Sequence, residues 1–197
     1  MDQSAITPLR NEVTELAEVA NQIRRADRIL VIGCSGGGKS TLSQEIAARF
    51  GLSYISIDRD VLWLPGWVQR DRPEQRSIIA EKILGERWIM DGTNTSSFDL
   101  RLPRTDIVIW VRMPRLLCIW GALSRWLKWI GRTRPEMAPG CNERVEWQFL
   151  QFIWTFEEKY TPRIVAALAQ HGPNVPVLQL TSRGRMRELL DLLAVPN

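Results

Sequence analysis

The chain is sparing with several residues on which protein chemistry often relies. In 197 residues it has one histidine, His171, two tyrosines and three cysteines. The cysteines, Cys34, Cys118 and Cys141, are odd in number, show no C-x-x-C spacing and have no histidine pair beside them. That argues against a disulfide framework and a zinc site, and makes a reducing compartment the expectation. Long apolar runs are lacking too: the longest, Leu116 to Leu123, is too short to span a bilayer. Met1 to Asn11 is polar and carries an acid, without the basic-then-apolar layout of a signal peptide. A soluble protein of the cytoplasm is therefore expected. Internal repeats and low-complexity segments are also missing.

What is present is ordinary in proportion. Hydrophobic residues make up 45% and charged residues 24%, which argues against wholesale disorder and a fibrous repeat. Twenty-six Lys plus Arg against 22 Asp plus Glu leave a net charge of +4. Such an excess suits an anionic small molecule as well as nucleic acid. The length fits one domain with room for a small lid. Tryptophan alone is abundant, with nine copies.

Helical and strand patterns alternate along the chain. Thr7-Pro8 reads as an N-cap with a first-turn proline, and Val13, Leu16, Ala20 and Ile23 recur at helical spacing; an amphipathic helix over 8–25 is expected. Ile29 to Ile32 is a continuous apolar run, the mark of a strand buried on both faces. After a glycine-rich turn come a helix from Lys39 to Phe50 and a strand from Ser53 to Ile57. Asp71 caps a third helix through a capping box with Glu74, and Gly85 closes it. Trp88 to Met90 and Ile107 to Val111 read as strands. Residues 114–130 and 142–160 read as helices around a break containing Pro135, Pro139 and Gly140. Thr161-Pro162 opens another helix ending near Gly172, before a last strand, Val175 to Leu180, and a last helix, Arg185 to Leu193. The alternation implies an α/β fold with a parallel sheet. Residues 1–27 are expected as a helical extension and 28–197 as the main domain, with a lid at about 113–145.

The segment Gly33-Cys34-Ser35-Gly36-Gly37-Gly38-Lys39-Ser40-Thr41 matches G-x-x-x-x-G-K-[ST], between a buried strand and a helix. Its residue types follow from holding a polyphosphate. Backbone N–H groups of Gly36, Gly37 and Gly38 can converge on an anion when no side chain blocks the approach. The helix N-terminus adds partial positive charge there. Lys39 is expected on the β- and γ-phosphates and Ser40 on Mg²⁺, with Gly33, Ser35 and Thr41 completing the binding loop. The bland alternative is a glycine-rich turn with an incidental lysine, which chance produces in on the order of one chain in a hundred. Cys34 is either a redox handle or a small filler.

A phosphate loop does not choose among its many users. Nothing resembles N-K-x-D, which disfavours a GTPase. The strand ending in Asp91-Gly92 puts an acid at a strand's carboxyl edge, where it would stand near Mg²⁺, although Asp-Gly is also a common turn. From Arg112 to Arg134 there are six basic residues (Arg112, Arg115, Arg125, Lys128, Arg132, Arg134) and no acid. Folded over a nucleotide, a basic hairpin would neutralise phosphoryl oxygens and exclude water; otherwise it is a solvated helix face. Leu116 to Ile130 also carries Trp and cations in an order that would suit a membrane surface.

Residues 28–193 resemble the nucleoside-monophosphate-kinase-like P-loop group, and within it bacterial proteins called adenylate kinase-related or "topology modulation" proteins. The likeness rests on I-L-V-I-G-C-S-G-G-G-K-S-T-L (29–42), I-D-R-D-V-L-W-L-P-G-W (57–67), W-I-M-D-G-T-N (88–94), D-L-R-L-P-R-T-D-I-V-I-W (99–110) and P-G-C-N-E (139–143). It implies a three-layer fold with a five-stranded parallel sheet in order 2-3-1-4-5, ATP with Mg²⁺, an acceptor site near the second strand and a helical lid. Carried across, Asp91 sits by the metal, Arg125 falls where relatives place a lid arginine, Arg101 near the transferred phosphoryl, and Arg183 where relatives cover adenine. Gly121 departs from the pattern, standing where related kinases carry a second lid arginine; that loss weakens the adenine clamp or moves its job elsewhere. The N-terminal helix lies outside the resemblance. The implied activity is transfer of the γ-phosphoryl of ATP to a nucleotide or other small molecule. The alternative is a nucleotide-dependent regulator that binds nucleic acid, which the small net charge disfavours.

The acceptor stays open. Asp58 and Asp60 close the expected second strand, and residues two apart on an extended segment face the same way. For a hydroxyl acceptor, Asp58 would take the proton as general base. For a nucleoside monophosphate no base is needed and a basic pocket would be, drawn from Arg59, Arg70 and Arg72; both acids are otherwise ordinary turn residues. Trp63 and Trp67 either stack on a planar acceptor or staple that region to the sheet. Trp120, Trp126, Trp129, Trp147 and Trp154 are expected as hairpin core, and His171 as a helix-end residue without chemistry.

Overall fold

The computed structural model describes Leu9, residues 11–135 and residues 137–195. Five strands make one parallel sheet: β1 (Arg28–Gly33), β2 (Ser53–Ser56), β3 (Trp88–Asp91), β4 (Ile107–Val111) and β5 (Val177–Leu180). Counted within this sheet the order is 2-3-1-4-5, as the family resemblance implies. Uninterrupted apolar sequence explains the central position of β1 and β4, since both faces are covered and every residue of β4 is buried. The helices are α1 (Leu16–Arg25), α2 (Lys39–Phe50), α3 (Arg72–Lys82), the single turn α4 (Phe98–Arg101), α5 (Arg115–Trp129), α6 (Trp147–His171) and α7 (Arg183–Ala194). They enclose one hydrophobic core around the sheet, with α1 against α7 and α5 against α6.

Three boundaries differ from expectation, each for a local reason. The first helix begins at Leu16, because residues 11–13 are extended along β5: Val13 N donates to Val177 O and Val177 N to Asn11 O, both at 3.0 Å. Thr7-Pro8 lies outside the described residues. The buried stripe of α1 (Leu16, Val19, Ala20, Ile23) joins the main core, so this helix packs as part of it. Next, the helix expected from 142 starts at Trp147, because Glu143 N is bonded to Arg132 O at 3.0 Å. Finally, α6 runs unbroken through Pro162. Pro162 and Arg163 face outward, while Ile153, Phe156, Ile164 and Leu168 hold the opposite face in the core on either side of the missing bond.

The tryptophans of α5 and α6 do not form the core expected of them. Trp120, Trp147 and Trp154 are exposed, and Trp126 and Trp129 are half-buried. The apolar bulk comes from Phe149, Phe152, Phe156 and Tyr160, which interleave along α6 with ring centroids 5.1–6.3 Å apart. No described helix is long and apolar enough to cross a membrane.

The entry to β1 is fastened by Asp106, whose Oδ2 accepts from Asp27 N (3.1 Å) and Arg28 N (2.8 Å) and whose Oδ1 pairs with Arg28 Nη2 (2.9 Å). Asp106→Ala should lower the unfolding free energy by about 1–2 kcal/mol in urea titration, since two backbone donors lose their acceptor.

Candidate active site

The glycine-rich loop joins β1 to α2 at the carboxyl edge of the sheet. Two tethers shape it. Thr93, just beyond β3, accepts from Gly33 N (2.9 Å) and donates to Gly33 O (2.8 Å) through the same hydroxyl. Lys39 arches back so that Nζ donates to Cys34 O at 2.9 Å. Cys34 itself is buried, and its thiol bonds to that of Cys118 on α5; the bond and burial push Cys34 up, while the same bond holds Cys118 down against the effect of its own burial. Cys34 thus serves as packing within the loop.

Beside the loop, Ser40 Oγ donates to Asp91 Oδ2 at 2.5 Å and Tyr54 Oη approaches the same oxygen at 3.4 Å. Asp91 is 5% exposed and its Oδ1 is buried with no hydrogen-bond partner. Burial raises its pKa despite the nearby Lys39 ammonium and the Ser40 bond, and the Asp58 carboxylate adds to the rise. Burial, with Asp91 beside it, also pushes the Tyr54 phenol up to about 12. An orphaned carboxylate oxygen next to a serine hydroxyl is the hard oxygen pair that Mg²⁺ accepts. Among the described residues no cluster of three or more His, Cys, Asp or Glu could hold a metal. Mg²⁺ at Ser40 and Asp91 would therefore draw its other ligands from water and phosphate, as that ion commonly does.

Helix α5 lies directly on the loop. Gly36 has φ +79°, and a Cβ built there would fall 2.0 Å from Cys118 O; one built on Gly121 would fall 2.1 Å from Gly36 O. The two main chains touch where neither has a side chain. Gly121 is therefore a seat for the loop, and an arginine at this register has no room.

The Asp58 region departs from the strand expectation. After Ser56 the chain enters a π-helical turn, Ile57–Leu62, so Asp58 and Asp60 do not alternate along an extended segment. Asp60 turns back to accept from Ser56 N at 2.9 Å and to pair with Arg59. Against the cost of burial, those partners hold its carboxyl below the usual range. Asp58 instead lines a cavity of about 390 Å³ together with Ser35 of the phosphate loop. The far wall carries Arg125, Arg134 and Glu143, and Glu143 pairs with both guanidiniums, at 3.2 Å for Arg125. A small hairpin, Trp63–Leu64 with Val68–Gln69, closes one side and is stapled to the segment between α5 and α6: Trp67 N donates to Cys141 Sγ (3.3 Å) and Trp67 Nε1 to Asn142 O (3.0 Å).

Arg101 does not reach this space. It is fully buried and donates to Gly92 O (2.8 Å), Thr93 O (2.6 Å) and Asn94 O (2.7 Å), strapping the turn after β3. Burial brings its pKa down to about 9, only partly countered by Asp99. The expected contact with a transferred phosphoryl is replaced by support of that turn, because the three carbonyls converge where the guanidinium is desolvated. Arg183 is exposed at the start of α7, whose Met186 lies 3.7 Å from where a Gly38 Cβ would be. The basic run is largely paired: Arg112 with Glu157, Arg115 with Glu158, Arg125 and Arg134 with Glu143. Sequence reasoning missed Thr93, Tyr54 and Glu143. Thr93 was signalled only by its place directly after Asp91-Gly92.

Gly121→Ala should cost about 1–3 kcal/mol of stability, since a methyl group must displace backbone, and weaken nucleotide binding; thermal melts and calorimetric titration read the two. Asp91 has a folded-state pKa above its unfolded value. Its ionised form therefore destabilises the metal-free fold above that folded pKa, and the loss is recovered as pH falls through it. At neutral pH Asp91→Asn should raise metal-free stability by about 1–2 kcal/mol, flatten that pH dependence and abolish the response of nucleotide binding to Mg²⁺.

No family model matches the chain, and no curated protein matches its sequence. Solved structures do match. Shikimate kinase from Acinetobacter baumannii, in complex with shikimate, superposes with a TM-score of 0.54 at 14% identity, covering 87% of this chain and 93% of that one. Shikimate kinase from Bacteroides thetaiotaomicron gives 0.51 at 16% identity, covering 85% and 96%. Deoxyadenosine kinase from M. mycoides, with bound dCTP, gives 0.43 at 14% identity, covering 83% and 96%. With its sheet order and its glycine-rich loop between β1 and α2, the chain has the α/β fold of the P-loop kinases.

Proposed function

We propose that the protein is an ATP- and Mg²⁺-dependent phosphotransferase acting on a hydroxyl group of a small molecule, with Asp58 as general base. The observation that carries the reading is that Ser35 of the phosphate loop and the Asp58 carboxylate line one cavity. The amides between Gly33 and Ser40 hold the phosphates and Lys39 turns from Cys34 O toward the β- and γ-oxygens. Mg²⁺, when bound at Ser40 and Asp91, offsets charge on the phosphate oxygens. Arg125 leaves Glu143 to meet the transferred group, Arg183 covers the base of the nucleotide, and Asp58 takes the acceptor proton. Helix α5, seated on Gly36, keeps bulk water from the reacting end.

An adenylate kinase-related reaction, with a nucleoside monophosphate as acceptor, is less well supported. Arg59 and Arg70 pair with Asp60 and Glu74, and Arg72 is exposed at the start of α3; the cavity lining includes none of the three. Binding to nucleic acid is disfavoured by the ion pairs that hold Arg112, Arg115, Arg125 and Arg134 to acids of the same chain.

Lys39→Ala should abolish ATP-dependent transfer with an unchanged circular dichroism spectrum. Asp58→Asn should lower kcat by about 10²–10⁴. Full activity of Asp58→Asn on a monophosphate acceptor would favour the adenylate kinase-related reaction instead.

A further inference from the structure

We infer that the acceptor is a planar, uncharged ring compound whose hydroxyl stands at one end of the molecule. This rests on the reading of the site as a hydroxyl phosphotransferase, and deepens it. Three features of the cavity carry the inference. The first is its walls. Leu62, Trp63, Trp67, Met137, Phe149 and Phe152 surround the space away from the phosphate loop. Trp63 and Trp67 meet edge to face with centroids 5.3 Å apart. Guanidinium planes extend these aromatic faces: Arg144 lies 5.2 Å from the Trp67 centroid and Arg125 5.9 Å from that of Phe149. Flat rings gain most from such a lining, through stacking and burial of apolar area.

The second feature is charge. The lining holds three guanidiniums, of Arg125, Arg134 and Arg144, and three carboxylates, of Asp58, Glu143 and Glu146. Arg125 and Arg134 pair with Glu143, and Arg144 with Glu146 at 3.1 Å. Arg125 and Arg134 thus share one carboxylate, and Asp58 brings the lining's three guanidiniums and three carboxylates to zero net charge, so the cavity as a whole offers no excess positive charge to an anionic acceptor. With Arg125 turned to the transferred group, Arg134 is what still pairs with Glu143; a phosphate monoester that drew Arg134 away as well would leave that carboxylate, which is 6% exposed, unpaired beside its own charge. The lining's other polar side chains are Ser35 and Gln148. Ser35 belongs to the phosphate loop and Asp58 lines the same cavity, so a hydroxyl held between them would stand where transfer occurs. The five charged side chains of the lining other than Asp58 are held in ion pairs with one another, so a polyol would have to compete with those pairs for its hydrogen bonds.

The third feature is fixity. Cys141 Sγ accepts from Trp67 N and donates to Leu64 O at 3.4 Å, and Trp67 Nε1 holds Asn142 O. These bonds join the hairpin to the segment between α5 and α6 and hold the aromatic faces in place without a ligand. A volume of about 390 Å³ then suits a molecule of one ring system with a short hydroxylated arm.

The test is tryptophan-fluorescence and calorimetric titration of the whole protein. Thymidine and pyridoxine are the planar, uncharged probes, each with a primary hydroxyl; thymidine 5′-monophosphate is the charged probe, ribose and glycerol the non-planar ones. Transfer from ATP with Mg²⁺ is measured in parallel. The expected result is binding of thymidine or pyridoxine at least tenfold tighter than thymidine 5′-monophosphate or ribose. Phe152→Ala and Trp67→Ala should weaken that binding tenfold or more, and Trp67→Phe, which keeps a flat ring on the staple, should restore most of it. Tighter binding of the monophosphate, or of ribose or glycerol, overturns the inference even if transfer is rapid, and so does failure of both planar probes to bind. Tight planar binding with no transfer to any probe supports the inference and counts against the phosphotransferase reading instead.

Discussion

Two peptide backbones meeting without side chains between them organise this molecule. Because Gly36 and Gly121 both lack a Cβ, helix α5 rests on the phosphate loop at main-chain distance. Helix α6 packs back against α5, and Glu143, on the segment between them, pairs with Arg125 of α5. The loop in turn gains a rigid neighbour on the side away from Thr93. A nest of amides keeps its shape only if held on both sides, and here one side is a hydroxyl and the other a helix.

Charge is arranged by the same economy. The acid-free run from Arg112 to Arg134 would repel itself if it stood alone. In the fold, acids from beyond the run face it: Glu157 and Glu158 on α6, and Glu143 before that helix. What reads as a one-signed stretch in sequence is therefore half compensated in space, with three carboxylates set against its six cations. Around Ser40 and Asp91 the balance runs the other way. Asp91 is buried with an oxygen left over, an arrangement that weakens the empty fold and favours a cation.

How much of this could be read from sequence follows from the range of each interaction. The parallel sheet and the glycine-rich loop were legible because β1, its turn and α2 are continuous and the apolar runs of β1 and β4 admit no alternative periodicity. The strand order came from the family resemblance alone, and Asp91 beside Ser40 from its place at a strand's carboxyl edge together with that resemblance. Asp58 was legible as a residue near the site but not in its conformation, since the π-helical turn depends on Ser56 bonding to both Arg59 and Asp60. The sequence reading placed Arg101 wrongly because the same guanidinium suits a phosphate or three carbonyls, and only burial separates them. Pro162 looked like a boundary because local rules do not register the core contacts of Phe156 and Ile164 on either side. Glu143 was invisible, as its partners lie 18 and 9 positions away along an irregular segment.

The short extended stretch ahead of α1 has a bearing on how copies of this chain behave toward one another. β5 is an outermost strand, and such a strand invites a neighbour's backbone to continue the ladder. Residues 11–13 already occupy both main-chain groups of Val177, so the first rung is taken by the protein's own chain. Sheet growth from molecule to molecule is thereby obstructed at its starting point, and the stretch works as a guard against fibrous association as well as a lead into the first helix.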